Sequence, residues 1–170
     1  MKIKLIVFDL DDTLLDTTEL LIPIARTPAF EKRIREPLPL LPGAFENLEY
    51  LKNKYILTLL TQGRLDAQTQ KVTSLGIGHF FQEQYFADPT QNQPKGVFFS
   101  QIIQNFGIQS QEMLSIGNRR TTDIREAKKV GAQTCLFKYG EHQSETVECP
   151  EDVPDFEINS HQELLSVCRL

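Results

Sequence analysis

Short apolar runs alternate with segments of helical period along most of this chain, and that alternation restricts the fold more than any other feature. Runs rich in Val, Ile, Leu and Phe read as strands at 3–8, 55–60, 84–87, 113–116, 134–137 and 156–158. Between them, 44–53 follows Pro42-Gly43 and sets Phe45, Leu48 and Leu51 on one helical face. Helical segments at 65–75, 97–106 and 122–130 each stop at a glycine (Gly76, Gly107, Gly131), where a left-handed cap belongs. Lys128 and Lys129 fall in the last turn of the third, the favourable end of its dipole. Gln162–Cys168 closes the chain as a docking helix. Strands that alternate with helices are built from βαβ units, so the predicted class is α/β, a Rossmann-like three-layer sandwich with a mostly parallel central sheet.

Two stretches interrupt the alternation. Asp16–Leu41 holds Pro23, Pro28, Pro37 and Pro39, which leaves room for two short helices, near 19–25 and 29–35. Gly140–Pro154 is rich in Glu and polar residues and reads as an exposed loop before the last strand.

At 170 residues the chain is expected to form one core domain over 1–170. Its formal charge of −5 argues against nucleic-acid or membrane-surface partners, and no apolar run is long enough to span a bilayer. The run after Lys2 is cut by Asp9 before it could serve as a signal-peptide core. Cys135, Cys149 and Cys168 lack metal or redox spacing and are expected as free thiols in a cytoplasmic protein. His79, His142 and His161 show no ligand spacing and are expected at the surface.

The first strand ends in Asp9-Leu10-Asp11-Asp12-Thr13. Carboxylates are poor strand formers and costly to bury, so their clustering calls for a bound divalent cation, a carboxylate nucleophile with an acid/base partner, or an acidic turn capping a helix. In a parallel sheet, the loops at the carboxyl ends of the strands form the ligand crevice. Polar residues recur there: Thr61-Gln62-Gly63 after the second strand, Lys95 beyond the third, and Gly117-Asn118 with Asp123 after the fourth. Each has an ordinary reading taken alone. Thr61 could cap the helix at 65–75, Lys95 could be solvated, and Asp123 could face its own helix dipole. Asp12 has no distinct chemical task and reads as structural.

In this order the residues resemble the haloacid dehalogenase-like superfamily, whose members are mostly phosphohydrolases. Phe8-Asp9-Leu10-Asp11-Asp12-Thr13-Leu14 is similar to its first motif, and Leu59-Leu60-Thr61-Gln62-Gly63 to its second. Lys95 stands where the third-motif lysine belongs, and Ser115-Ile116-Gly117-Asn118 with Asp123 is similar to the fourth. Leu40-Leu41-Pro42-Gly43 and the closing Asp155-Phe156-Glu157-Ile158 also resemble the family. The resemblance implies Asp9 as nucleophile forming an aspartyl-phosphate and Asp11 as general acid/base. It further implies Thr61, Gln62 and Lys95 around the substrate phosphate. A Mg²⁺ ion would be held by Asp9, the Asp11 carbonyl, Asn118 and Asp123. Such an ion screens a phosphoryl group from an anionic nucleophile.

Three departures qualify the resemblance. Asn118 stands where the family usually has Asp, which keeps an oxygen ligand but removes a charge. The leading expectation is a Mg²⁺-dependent phosphatase; the alternative is a catalytically weak or inactive binding or regulatory protein of the same fold. A hydrolytic dehalogenase would have no clear use for Asp11 and a metal. The loop at Lys95 lacks the proline that commonly follows it. Finally, the insertion at about 16–41 is far too short for a full cap domain. Water exclusion then falls to that segment, to a partner subunit of a homo-oligomer covering the open site, or to the substrate, a phosphorylated small molecule or macromolecule. A phosphomutase, which must exclude water, is disfavoured for the same reason. Arg26, Lys32, Arg33 and Arg35 make the insertion locally basic, while Arg119 and Arg120 read as substrate contacts or a solvated turn.

Overall fold

The computed structural model of the chain describes residues 2–91 and 93–170. In chain order its elements are β1 (Leu5–Phe8), α1 (Thr17–Leu20), α2 (Pro28–Arg33), α3 (Ala44–Leu51), β2 (Ile56–Gln62) and α4 (Leu65–Leu75). They continue through β3 (Glu83–Ala87), α5 (Lys95–Phe106), β4 (Met113–Gly117), α6 (Arg125–Lys129), β5 (Gln133–Phe137), β6 (Phe156–Ile158) and α7 (His161–Val167). The six strands form one sheet in the order β3-β2-β1-β4-β5-β6, and every pairing is parallel.

The layers follow from the two-residue period of a strand. In β1, Ile6 and Phe8 join a core with Leu48 and Leu51 of α3, Val72 of α4 and Leu164 of α7. Leu5 and Val7 face the opposite way, onto Phe99 and Ile102 of α5 and Ala127 of α6. Because helices cover both faces, β1 and β4 are buried along their whole length and read as continuous apolar runs. With β1 central, Asp9 leaves the sheet in the middle of its carboxyl edge, flanked by the ends of β2 and β4.

The insertion docks on α4. Leu15, Leu21, Ile34 and Leu38 bury themselves with Ala67, and Leu15 bridges to both Asp11 and Leu40, closing the neck of the insertion. Its two short helices, α1 and α2, are joined by a 3-10 turn at Ile22–Ile24.

Three expectations need correction. Phe45 is half exposed, and the buried face of α3 is Ala44, Asn47, Leu48 and Leu51. The segment at 122–130 is not one helix but a wide π-type turn, Arg120–Ile124, followed by α6. That turn aims Asp123 inward, where its Oδ2 accepts from the Arg119 amide at 3.0 Å and its carbonyl accepts from Ser115 Oγ at 3.0 Å. His161 is buried, not at the surface. Its Nε2 lies 2.7 Å from the Thr13 carbonyl, and Asn47 Nδ2 lies 3.3 Å from its Nδ1. Since Thr13 O can only accept, the proton sits on Nε2; burial holds the ring below its ordinary pKa and therefore neutral. This pair ties α7 and α3 to the loop after β1.

The segment at 140–154 is largely exposed, as expected, and is also strapped down. Buried Asp152 takes both ends of the Arg125 guanidinium at 2.6 and 2.8 Å, and Arg119 reaches Glu145 at 2.9 Å. Buried charge is tolerated where it is paired and hydrogen-bonded, and Asp152 also accepts from the Glu148 and Cys149 amides.

Candidate active site

The loops at the carboxyl edge enclose a cleft of about 270 Å³ whose wall includes Asp9, Asp11, Gln62, Lys95, Asn118 and Asp123. At its centre, Lys95 Nζ lies 2.6 Å from Asp9 Oδ1 and 2.6 Å from Asp123 Oδ1, all three side chains being buried. Lys95 can reach both because it opens α5 at the end of the β3 crossover, pointing back across the sheet edge. Two carboxylates sharing one ammonium leave an uncompensated negative charge in low dielectric. Burial first, then Asp123 and Asp11, push the Asp9 carboxyl up to about 7, and Lys95 only partly offsets them. Burial would lower the Lys95 ammonium, but Asp123 and Asp9 outweigh it and hold it above its ordinary value. A glycine precedes Asn118 for a steric reason. A Cβ at Gly117 would run into the Asp123 side chain.

Asp11 is turned toward α4. Lys71 Nζ bonds its Oδ1 at 2.7 Å, Gln68 Nε2 bonds its Oδ2 at 2.8 Å, and Thr17 Oγ1 also donates to it. Burial raises Asp11, but the Lys71 charge and these hydrogen bonds prevail and hold it below its ordinary value. The Gln68 amide also donates to Thr61 Oγ1 at 2.8 Å, so the Thr61 hydroxyl proton is free to point elsewhere. Thr61 does not cap α4, whose N-cap is Arg64.

Asp12 has the structural role read from the sequence. Its carboxylate accepts from the Thr18 amide and hydroxyl at 2.8 and 2.7 Å, in the first turn of α1, whose N-cap is Asp16. It lies so close to Gly140 that no Cβ fits there, and Gly140 has a φ of 74°. Arg119 and Arg120 bind the segment at 140–157 through Glu145, the Asp152 carbonyl and Glu157, and Arg119 also lines the cleft.

Asn118 donates its Nδ2 to the Tyr139 carbonyl at 3.2 Å, a bond a carboxylate could not make. Its amide oxygen is thereby left for another partner. No hydrogen bond among the described residues engages Asp9 Oδ2. With the surplus negative charge, these oxygens suit a hard divalent cation that keeps most of its waters. Among the described residues no group of three or more His, Cys, Asp or Glu side chains converges as a metal cage, and Mg²⁺ does not require one.

Sequence reasoning missed Gln68, Lys71 and His142. Gln68 and Lys71 fall on the buried stripe of α4 with Ala67 and Val72, and two polar residues on such a stripe are a readable signal. His142, between Glu141 and Glu145, lines the cleft from the strapped loop, and nothing in its sequence spacing announces that.

Fold and cleft together define a three-layer α/β protein with a charged cleft at the carboxyl edge of a parallel sheet. A sequence model of haloacid dehalogenase-like hydrolases matches residues 27–137, and the chain belongs to that family. It is 30% identical to the glyceraldehyde 3-phosphate phosphatase of Pyrococcus abyssi over 81% of this chain and 82% of that protein. It is 26% identical to that of Pyrococcus furiosus over 98% and 93%, across 225 aligned positions. Since 225 exceeds the 170 residues here, the archaeal protein carries stretches this chain lacks. Identity to the Methanopyrus kandleri phosphatase is 33% over 66% of this chain, which spans about half of that protein. The magnesium-bound structure of the hydrolase YfnB from Bacillus subtilis superposes with a TM-score of 0.75 at 20% identity, covering 98% of each chain. A 2-haloacid dehalogenase from Pseudomonas syringae does so at 0.76 and 19%, again over 98% of each. The fold therefore serves both chemistries, and the residues in the cleft must separate them.

Proposed function

We propose that this enzyme, a phosphoric monoester hydrolase in keeping with its family and the phosphatases it resembles, works through an aspartyl-phosphate on Asp9 and depends on Mg²⁺. The Asp9–Lys95–Asp123 cluster carries the reading. Asp9 Oδ2 attacks phosphorus while Lys95 holds Oδ1, fixing the direction of attack. The bond from phosphorus to the alcohol oxygen breaks, and Asp11 gives that oxygen its proton. Asp11 then takes a proton from water attacking the phosphorus, and the Asp9 acyl phosphate is cleaved. The Lys71 contact favours the base form of Asp11, which the second half-reaction needs; the phosphate charge beside it favours the acid form for the first. Thr61, Gln62 and Lys95 are the phosphate contacts. Asp9, the Asp11 carbonyl, Asn118 and Asp123 would hold Mg²⁺, which when bound neutralises phosphoryl charge as the anionic nucleophile approaches.

The substrate is a phosphorylated molecule, with no nucleic acid or membrane as partner, and the site is cytoplasmic in this reading. The short insertion, the strapped loop and a second copy of the chain are the candidate covers for the site.

A second reading, a catalytically silent binding protein, rests on Asn118 alone. Acid quenching after mixing with p-nitrophenyl phosphate and Mg²⁺ tests the two. Intact-mass analysis should show a phosphoryl adduct mapping to Asp9. Absence of both adduct and turnover would favour the silent protein.

A further inference from the structure

A second cleft, of about 240 Å³, adjoins the first and shares Asp11, Gln62 and Gly63 with it. Its outer wall is Phe30 of α2, its inner wall Ala67, Gln68 and Lys71 of α4, and Arg64 stands at its far side. Arg64 bonds Glu31 of α2 at 2.6 Å and Asp66 at 2.6 Å, clamping the insertion against α4. The short insertion, the segment standing where a cap would begin, thus supplies one wall of the cleft through Phe30.

Two buried polar groups in it are incompletely used. Lys71 is almost fully buried, and Asp11 is its one hydrogen-bond partner among the described residues, so two of its three N–H donors have no acceptor. Gln68 Oε1 is buried with no donor at all. Such groups are costly unless something completes them.

The geometry of hydrolysis says what that is. In the phosphatase reading phosphorus meets Asp9 and the leaving oxygen meets Asp11, and this cleft is the space beside Asp11 on the α4 side. We infer that the Phe30–Lys71 cleft is the leaving-group pocket and that Lys71 selects small phosphate esters whose alcohol carries a carbonyl or carboxylate oxygen. The inference rests on the phosphatase reading above. At about 240 Å³ the cleft is below the ~300–1,000 Å³ of pockets for drug-sized ligands, so the alcohol is a short one. Phe30 covers its carbon chain and the ammonium takes the carbonyl oxygen.

Two three-carbon esters of equal length test this, 3-phosphoglycerate and glycerol 3-phosphate, which differ at the end that would meet Lys71. The readout is the ratio of their kcat/KM values, in which any effect of Lys71 on Asp11 chemistry common to both esters cancels. Wild type should favour the carboxylate ester by about tenfold or more, the worth of a charge-assisted hydrogen bond. Lys71→Met should bring the ratio to one or below, while Phe30→Ala raises KM for both esters and keeps the preference. A wild-type ratio near one, or a ratio unchanged in Lys71→Met, overturns the inference. If wild type turns over neither these esters nor p-nitrophenyl phosphate, the phosphatase reading fails instead. The pocket is then read by thermal shift on the intact protein, where stronger stabilisation by the carboxylate ester, lost in Lys71→Met, supports it and equal shifts refute it.

Discussion

Lys95 meets Asp9 at 2.6 Å across 86 positions of sequence, inside a sheet edge where neither side chain sees appreciable solvent. The same ammonium serves Asp123 at equal distance, so one cation holds two buried anions together. Removing it leaves both uncompensated. Lys95→Met is expected to cut turnover by at least about a hundredfold, as loss of an electrostatic stabiliser does, and to destabilise the fold by about 3 kcal/mol or more. Steady-state assay and urea denaturation check the two effects; wild-type stability in the variant would contradict the shared-cation account.

Asp9 gives the metal-free protein an unusual pH dependence. Its folded-state pKa of about 7 lies above the unfolded value near 3.8, so folding favours the protonated form. This contribution is fully present below pH ~4 and is lost as pH rises through 7. In chelator, the urea midpoint of wild type should fall between pH 5 and 8 relative to Asp9→Asn, which cannot ionise. Parallel profiles for the two proteins would show that Asp9 is not held up.

Asn118→Asp trades one property for another. It adds a negative charge near Asp9 and Asp123 and removes the amide bond to the Tyr139 carbonyl. The variant should melt lower in chelator, by about 1–2 kcal/mol of stability, and reach half-maximal activity at a lower Mg²⁺ concentration. An unchanged Mg²⁺ midpoint would refute a ligand role for position 118.

Asp152 anchors the loop that brings Glu141 and His142 to the mouth of the cleft. Arg125 and two backbone amides hold it well below the usual carboxylate range. Its contribution is present above the unfolded carboxylate pKa and is lost only as strong acid protonates it. Asp152→Asn should cost about 2–3 kcal/mol by thermal or urea denaturation and open residues 141–151 to limited proteolysis. Wild-type stability and protease resistance would remove the strap from the account.

The parallel sheet and its helices were legible because apolar period and glycine stops are local properties. Leu65–Leu75 ends at Gly76 as predicted, and all six strands appear within a few residues of their expected limits. The convergence of Asp9, Lys95 and Asp123 was legible too, since a parallel sheet sends every strand end to one edge. The roles of Lys71 and of the 140–154 segment were not. Lys71 matters through contact with Asp11 sixty positions away, and a charge-rich loop reads as solvated until its arginine partners are placed. His161 misled for a similar reason. Nothing local shows that the Thr13 carbonyl and Asn47 await it inside the core.

Asp9 is proposed as the nucleophile of a Mg²⁺-dependent phosphatase. Turnover of p-nitrophenyl phosphate by wild type and Asp9→Asn, each with Mg²⁺ and with chelator, tests it most directly. Turnover should appear in wild type with Mg²⁺, vanish in chelator, and be absent from Asp9→Asn under both conditions. Equal turnover by the two proteins, or wild-type turnover indifferent to chelation, would contradict it.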